Sequence, residues 1–137
     1  MDLELQKAMA VAVAGLKAQS LRMRVIAENI ANQDSEATAP GVAPYRRKRI
    51  IFKNVLDREL GVERVTVARV VTDHSPLRRR YDPGHPGAGP DGFVAVTNVQ
   101  GMIETMDMQQ AQRSYQANLG AIEAARNMMR RTLDLLR

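Results

Sequence analysis

The stretch ELQKAMAVAVAGLKAQSLRMRVIAENIA, residues 4–31, decides the fold. Within it Leu5, Met9, Ala12, Leu16, Gln19, Met23, Ile26 and Ile30 recur at alternating spacings of four and three, which places them on one stripe of a helix. Gln19 is the single polar member. The stripe has the period of a coiled-coil seam, and at 1.5 Å per residue it predicts a rod of about 40 Å. NQDSEATAPG (32–41) ends the rod, because Asn32 suits a C-terminal cap and Pro40-Gly41 cannot continue a helix.

The far end of the chain repeats the design. Met108, Gln112, Tyr115, Leu119, Ile122, Arg126, Met129, Leu133 and Leu136 follow the same rule, with Gly120 the only breaker in the run. Pairing the two helices would hide both stripes. It would still leave apolar area on Ala8, Val11, Val13, Val25, Met102, Met106 and Met128. An isolated helix pair of this kind is marginal, so cover is expected from other copies or other proteins.

Between the helices the pattern changes. RRKRIIF (46–52), VERVTVARVVT (62–72) and DGFVAV (91–96) are rich in β-branched residues with partial alternation, and read as three short strands. Sheets this small need cover from a helix or a neighbour. The expected fold is mainly α with a small β-rich insert: an N-terminal helical part (1–35), a basic insert (36–98) containing a turn loop (75–92), and a C-terminal helical part (99–137). Two separate domains are not expected at 137 residues.

Composition narrows the chemistry. Tryptophan and cysteine are absent, which removes disulfides, thiolate metal sites and cysteine nucleophiles together. Eight methionines suit irregular or shared interfaces. No apolar run approaches the roughly 20 residues that span a bilayer. AMAVAVAGL (8–16) has the length of a signal-peptide core, but Asp2 and Glu4 precede it where basic residues belong, so it reads as mature helix. Export from the cytoplasm would then proceed without a conventional cleaved signal. The net charge of +5 lies wholly in residues 40–92, which suits either a nucleic acid or an acidic protein neighbour.

RRRYDPGHPGAGPDG (78–92) concentrates turn formers, arginines and a histidine. Asp73, His74, Asp82 and His85 could converge on one metal ion, but the plainer reading is a shaping loop, Tyr81, Asp82, Pro83, Gly84, His85 and Pro86, in which Asp82 and His85 bond to local backbone. Ser75 or Ser114 with either histidine lacks the elbow and oxyanion loop of a hydrolase, and PGHPGAGPDG lacks the lysine of a phosphate loop. Arg46, Arg47, Lys48, Arg49, Arg78, Arg79 and Arg80 make the best case for nucleic acid. Against it, no stacking aromatics are interleaved and no recognition-helix pattern follows. Asn29, one turn before Asn32, is placed to bridge to another helix, and Tyr115, Gln116 and Asn118 sit on or beside the second stripe as packing residues that fix register.

AGLKAQSLRMRVIAENIANQDS (14–35) and MDMQQAQRSYQANLGAIEAARNMMRRTLDL (106–135) together resemble the terminal signatures of the flagellar rod, hook and filament axial proteins. SPLRRRYDPGHPGAGPDGFV (75–94) and PYRRKRIIF (44–52) are similar to the loop and strand region of the proximal-rod members, with Phe93 where tyrosine is commoner. The resemblance implies a structural basal-body subunit with no catalysis and no cofactor, exported through the flagellar channel and stacked helically in the envelope. Copies of itself and other rod proteins are the implied partners, with the ring and export gate nearby and peptidoglycan in proximity. The expected assembly interface comprises Leu16, Met23, Ile26, Asn29, Ile30, Asn32, Tyr115, Gln116, Asn118, Leu119, Ile122, Met129 and Leu133. The alternatives are a basic nucleic-acid module and a small metal-dependent enzyme.

Overall fold

The computed structural model describes residues 2–137, in the order α1 (Asp2–Ala31), β1 (Lys48–Asp57), β2 (Val62–Thr72), β3 (Arg78–Tyr81), β4 (Phe93–Val96) and α2 (Gly101–Leu135). Two long helices thus flank a small β region, as the hydrophobic periods require. α1 stops where Asn32 turns its side-chain amide onto the Glu28 carbonyl at 2.8 Å, a C-terminal cap. α2 starts after Gln100, whose carbonyl accepts the Glu104 N–H at 3.1 Å.

The β region differs from the reading of the sequence in two ways. It has four strands rather than three, in two separate two-stranded sheets, β1-β2 and β3-β4. Arg78–Tyr81, assigned above to a turn loop, is a strand paired antiparallel with β4, Arg78 opposite Val96 and Tyr81 opposite Phe93. Its charged side chains carry no alternation, so only the partner strand reveals it. β1 also runs on to Asp57 and turns into β2 through four residues. There the Asp57 carboxylate accepts the Glu59 and Leu60 N–H groups at 3.0 and 3.2 Å.

Contacts group the chain into two compact units. The first holds Met1–Met23, Ile50–Arg69 and Gln109–Arg137. Its core is lined by small residues, Ala12, Ala18, Ala111 and Ala125, with Ile122. Gly15 of α1 faces Asn118 of α2 so closely that a Cβ there would come within 2.7 Å of the Asn118 amide. Arg22 reaches Gln110 at 3.1 Å. The second unit holds Arg24–Arg49 and Val70–Met108. It buries Val25, Ile26, Ala37, Val94 and Val99 together with three polar side chains, Asn29, Thr97 and Glu104.

The seam of α2 is rotated from the expected stripe. Its less exposed positions are Glu104, Met108, Ala111, Tyr115, Asn118, Ile122, Ala125, Met129 and Thr132, again spaced four and three, whereas Gln112, Leu119, Arg126, Leu133 and Leu136 face outward. Close approach of two backbones selects small side chains, and a reading that favoured the largest apolar residues chose the neighbouring row. Val25, expected to be left uncovered, is 6% exposed, and Val13 is half-buried.

Candidate functional site

Two features of the chain stand apart: a half-buried ionic hub in the second unit, and a set of large apolar side chains on α2 that the chain itself does not cover.

The hub forms around Arg47, the residue before β1. Its Nε donates to Glu104 Oε1, Nη1 to Asp73 Oδ2 at 3.3 Å and Nη2 to Asp107 Oδ2 at 3.4 Å. One guanidinium therefore meets three carboxylates, a task suited to its fork of five N–H donors. Burial works against its charge, but the hydrogen bonds to Glu104 and Asp73 outweigh that and hold it above the usual arginine range. Glu104 is wholly buried, and its second oxygen accepts from Asn29 Nδ2 at 3.2 Å. Asn29 also donates to the Lys48 carbonyl at 2.7 Å, while its oxygen accepts the Tyr45 hydroxyl at 2.6 Å and the Lys48 N–H at 2.9 Å. Burial, then the negative charges of Glu28 and Glu104, push the Tyr45 hydroxyl up to about 12, so it stays a donor. Asn98 completes the enclosure, accepting the Arg47 N–H at 2.7 Å and donating to the Asp73 carbonyl at 3.0 Å. No buried side-chain nitrogen or oxygen among the described residues lacks a partner. Asn29 thus reaches α2, although the group it meets is a carboxylate that the apolar stripes did not reveal.

Asp73 adds a pH dependence. The Ser75 hydroxyl at 2.6 Å and N–H at 2.9 Å, followed by Arg47, hold its carboxyl down from 3.8 to about 2. A lowered value stabilises the fold above the ordinary carboxylate range of about pH 4, and that gain is lost as pH falls through about 2. Urea unfolding of Asp73→Asn should therefore show a constant deficit against the parent at and above pH 5 that disappears near pH 2. A deficit independent of pH would remove the ionic account of this contact.

The basic runs are mostly engaged within the chain. Besides Arg47, Lys48 binds Glu28 at 2.7 Å, Arg78 donates to the Val99 carbonyl at 3.1 Å, Arg79 pairs with Asp91, and Arg80 pairs with Glu36. Arg46 donates to the Ser75 carbonyl at 3.2 Å. A phosphate-binding face would need these groups free. The residues weighed as metal ligands are likewise in different company: Asp73 with Arg47 and Ser75, Asp82 with Arg80 at 3.6 Å, and His85 with Glu36 at 2.8 Å. Among the described residues no group of three or more metal-ligating side chains comes together.

In the loop, the Asp82 carbonyl accepts the His85 N–H at 3.1 Å, and His85 Nδ1 accepts the Gly87 N–H at 2.9 Å. Local backbone bonding therefore involves the His85 ring, whereas the Asp82 carboxylate turns to Arg80. Tyr81 and Phe93 stack edge to face at 5.3 Å, and Arg79 lies 5.0 Å from the Phe93 ring centre. Pro83, Gly84 and Pro86 are exposed.

Of the side chains expected at an interface, Gln116, Leu119 and Leu133 point outward. Ile26, Asn29 and Ile122 are buried inside the chain, and Leu16, Met23, Ile30, Asn32, Tyr115, Asn118 and Met129 are half-buried. Met102, Met106, Leu119, Met128 and Leu133 are 79%, 62%, 40%, 54% and 62% exposed. Among the described residues no helix is long and apolar enough to cross a membrane.

Residues 9–36 match the family described as Flagella basal body rod protein, and residues 91–135 match the one described as Flagellar basal body rod FlgEFG protein C-terminal. Over 97% of its length the chain is 44% identical to the flagellar basal-body rod protein FlgC of Agrobacterium fabrum, 96% of which is covered. It is 39% identical to the FlgC of Borreliella burgdorferi, with 92% and 93% of the two chains covered, and 38% identical to that of Salmonella typhimurium, with 91% and 92% covered. Two terminal helices, the β insert between them and these likenesses along nearly the whole chain lead to one assignment: the chain belongs to the FlgC family of flagellar basal-body rod proteins.

Proposed function

We propose that this chain is a subunit of the proximal rod, assembled helically with copies of itself and other rod proteins through the helical parts 1–35 and 99–137. The basic insert 36–98 rests on an acidic surface of an adjacent subunit, with the loop Tyr81–Pro86 setting its angle to the helices. In this reading the subunit passes through the flagellar export channel without a cleaved signal. It takes its place in the periplasmic part of the envelope, with the ring and export gate nearby and peptidoglycan close. Contacts that do not close on themselves build a helical tube, and many repeated helix contacts distribute torque along it.

One observation carries the proposal: the large apolar side chains that α2 leaves uncovered, Met102, Met106 and Met128 on one side of the helix and Leu119 and Leu133 on another. From Arg126 to Leu135 only Met129 and Thr132 are even half-buried, so this end of the helix has little of its own chain to hold it. Neighbouring subunits would supply the cover and complete its order. Amide exchange on the dilute chain tests this. Residues 25–30 and 104–111, beside the ionic hub, should be protected, whereas 3–8 and 126–135 should exchange close to the rate of an open chain. Full protection of 126–135 in the monomer would refute it.

A further inference from the structure

The end of α2 carries charge as well as apolar area. Residues 126–137 hold four arginines, Arg126, Arg130, Arg131 and Arg137, and one acid, Asp134. All four arginines are exposed, and among the described residues none is in an ion pair. At about 100° per residue, Met128, Met129, Leu133 and Leu135 fall within one arc of about 160°. Arg131 borders one edge of that arc, Arg126 and Arg130 border the other, and Asn127 and Asp134 lie opposite it. Met128, Leu133 and Leu135 are exposed and Met129 is half-buried, with the exposed Leu136 following directly. An apolar centre with cationic margins and a polar back is the pattern of a helix that lies between lipid and water. Arginine suits the margins, because its stem covers apolar surface while the guanidinium stays among phosphates. The helical residues 126–135 reach about 15 Å, so they lie on a bilayer and do not cross it.

We propose that in the free subunit the end of α2, from Arg126 onward, docks on an anionic lipid surface, with its arginines on the phosphates and its apolar arc among the upper acyl chains. Charge selects this occupant over a second copy. The compact unit that contains this end has twelve basic and seven acidic side chains, and the other unit has eight of each. A second copy therefore has no excess of acid to meet four arginines, whereas an anionic bilayer has one at every point of its surface. The cost of turning the arc toward lipid is low, because only Met129 and Thr132 between Arg126 and Leu135 are even half-buried. The inference rests on the reading above that this end is loosely held until neighbouring subunits cover it; lipid covers the arc before they do.

Flotation of the full chain with vesicles tests this. At low salt the chain should float with phosphatidylglycerol vesicles and stay behind with phosphatidylcholine ones. Amide exchange at 126–135 should slow on the phosphatidylglycerol vesicles, while that at 25–30 stays as it was. Arg130→Gln with Arg131→Gln should lower the partition coefficient about 25-fold, about fivefold for each arginine, and leave denaturant unfolding unchanged. Leu135→Ser should lower it about tenfold or more. No flotation with phosphatidylglycerol, equal flotation with phosphatidylcholine, or an arginine variant that floats like the parent would each overturn the proposal. So would self-association of the lipid-free chain that shields 126–135, which gives the face to a second copy. Failure to float while 126–135 exchanges freely leaves the assembly reading in place, whereas full protection of 126–135 in the lipid-free monomer removes both.

Discussion

Arg47→Met should lower the unfolding free energy of the chain at pH 7 by about 3 kcal/mol, a large part of the roughly 5–15 kcal/mol that a domain possesses. The reason lies in Glu104, which is wholly buried and has Arg47 as its cationic partner. Without the guanidinium its charge stays unpaired in a poorly polarisable interior. Arg47 is itself 24% exposed, so the loss belongs at the lower end of the range for broken buried pairs. Arg47→Lys should lose less, about 1–2 kcal/mol, because an ammonium keeps a charge but cannot address Glu104, Asp73 and Asp107 at once. Replacing both partners, Arg47→Met with Glu104→Leu, should recover most of the deficit, since Asn29 Nδ2 retains the Lys48 carbonyl at 2.7 Å. Denaturant unfolding followed by circular dichroism measures all three. A double variant no more stable than Arg47→Met alone would show that the cost arises from lost packing, not from an unpaired charge.

That hub marks where reading the sequence stopped. The helices were legible because periodicity is local: residues three and four apart declare the face they share, whatever lies opposite. β1 and β2 were legible for a similar reason, being runs of β-branched residues on either side of a short turn. β3 was not, because Arg78–Tyr81 takes its strand conformation from hydrogen bonds to Phe93–Val96 across the loop, and three successive arginines do not suggest a buried pattern. Arg47 and Glu104 are 57 residues apart, so nothing local pairs them. A hint was present even so. Glu104 lies on the same helical row as Met108 and Ala111, and a carboxylate on an otherwise apolar row needs a cation from elsewhere in the fold. The rotation of the α2 seam has the same origin. Whether the row through Leu119 or the row through Ala111 turns inward depends on Gly15 in the opposite helix, which no pattern within α2 can reveal.

The same rotation separates two substitutions that the sequence treats alike. Leu119→Asp and Ile122→Asp should each abolish swimming, but for different reasons. Ile122 is 8% exposed, so an aspartate there enters the packed seam and destabilises the monomer by several kcal/mol, of the order of about 3, before any partner is met. Leu119 is 40% exposed and lies outside the seam, so its replacement should leave monomer stability within about 0.5 kcal/mol of the parent. In the assembly proposed above it nevertheless puts a charge where a neighbouring helix would dock, and a desolvated charge without a partner costs enough to stop a repeated contact from forming. Leu119→Asp should therefore be exported at normal levels, remain as stable as the parent in denaturant, and fail to appear in purified basal bodies. Because every subunit in a shaft presents the same face, the penalty recurs at each contact, and a moderate loss per interface becomes complete at the level of the rod. Normal swimming in the Leu119→Asp strain would mean that this row faces solvent in the rod, and the docking surface would then have to lie on another face of the helix pair.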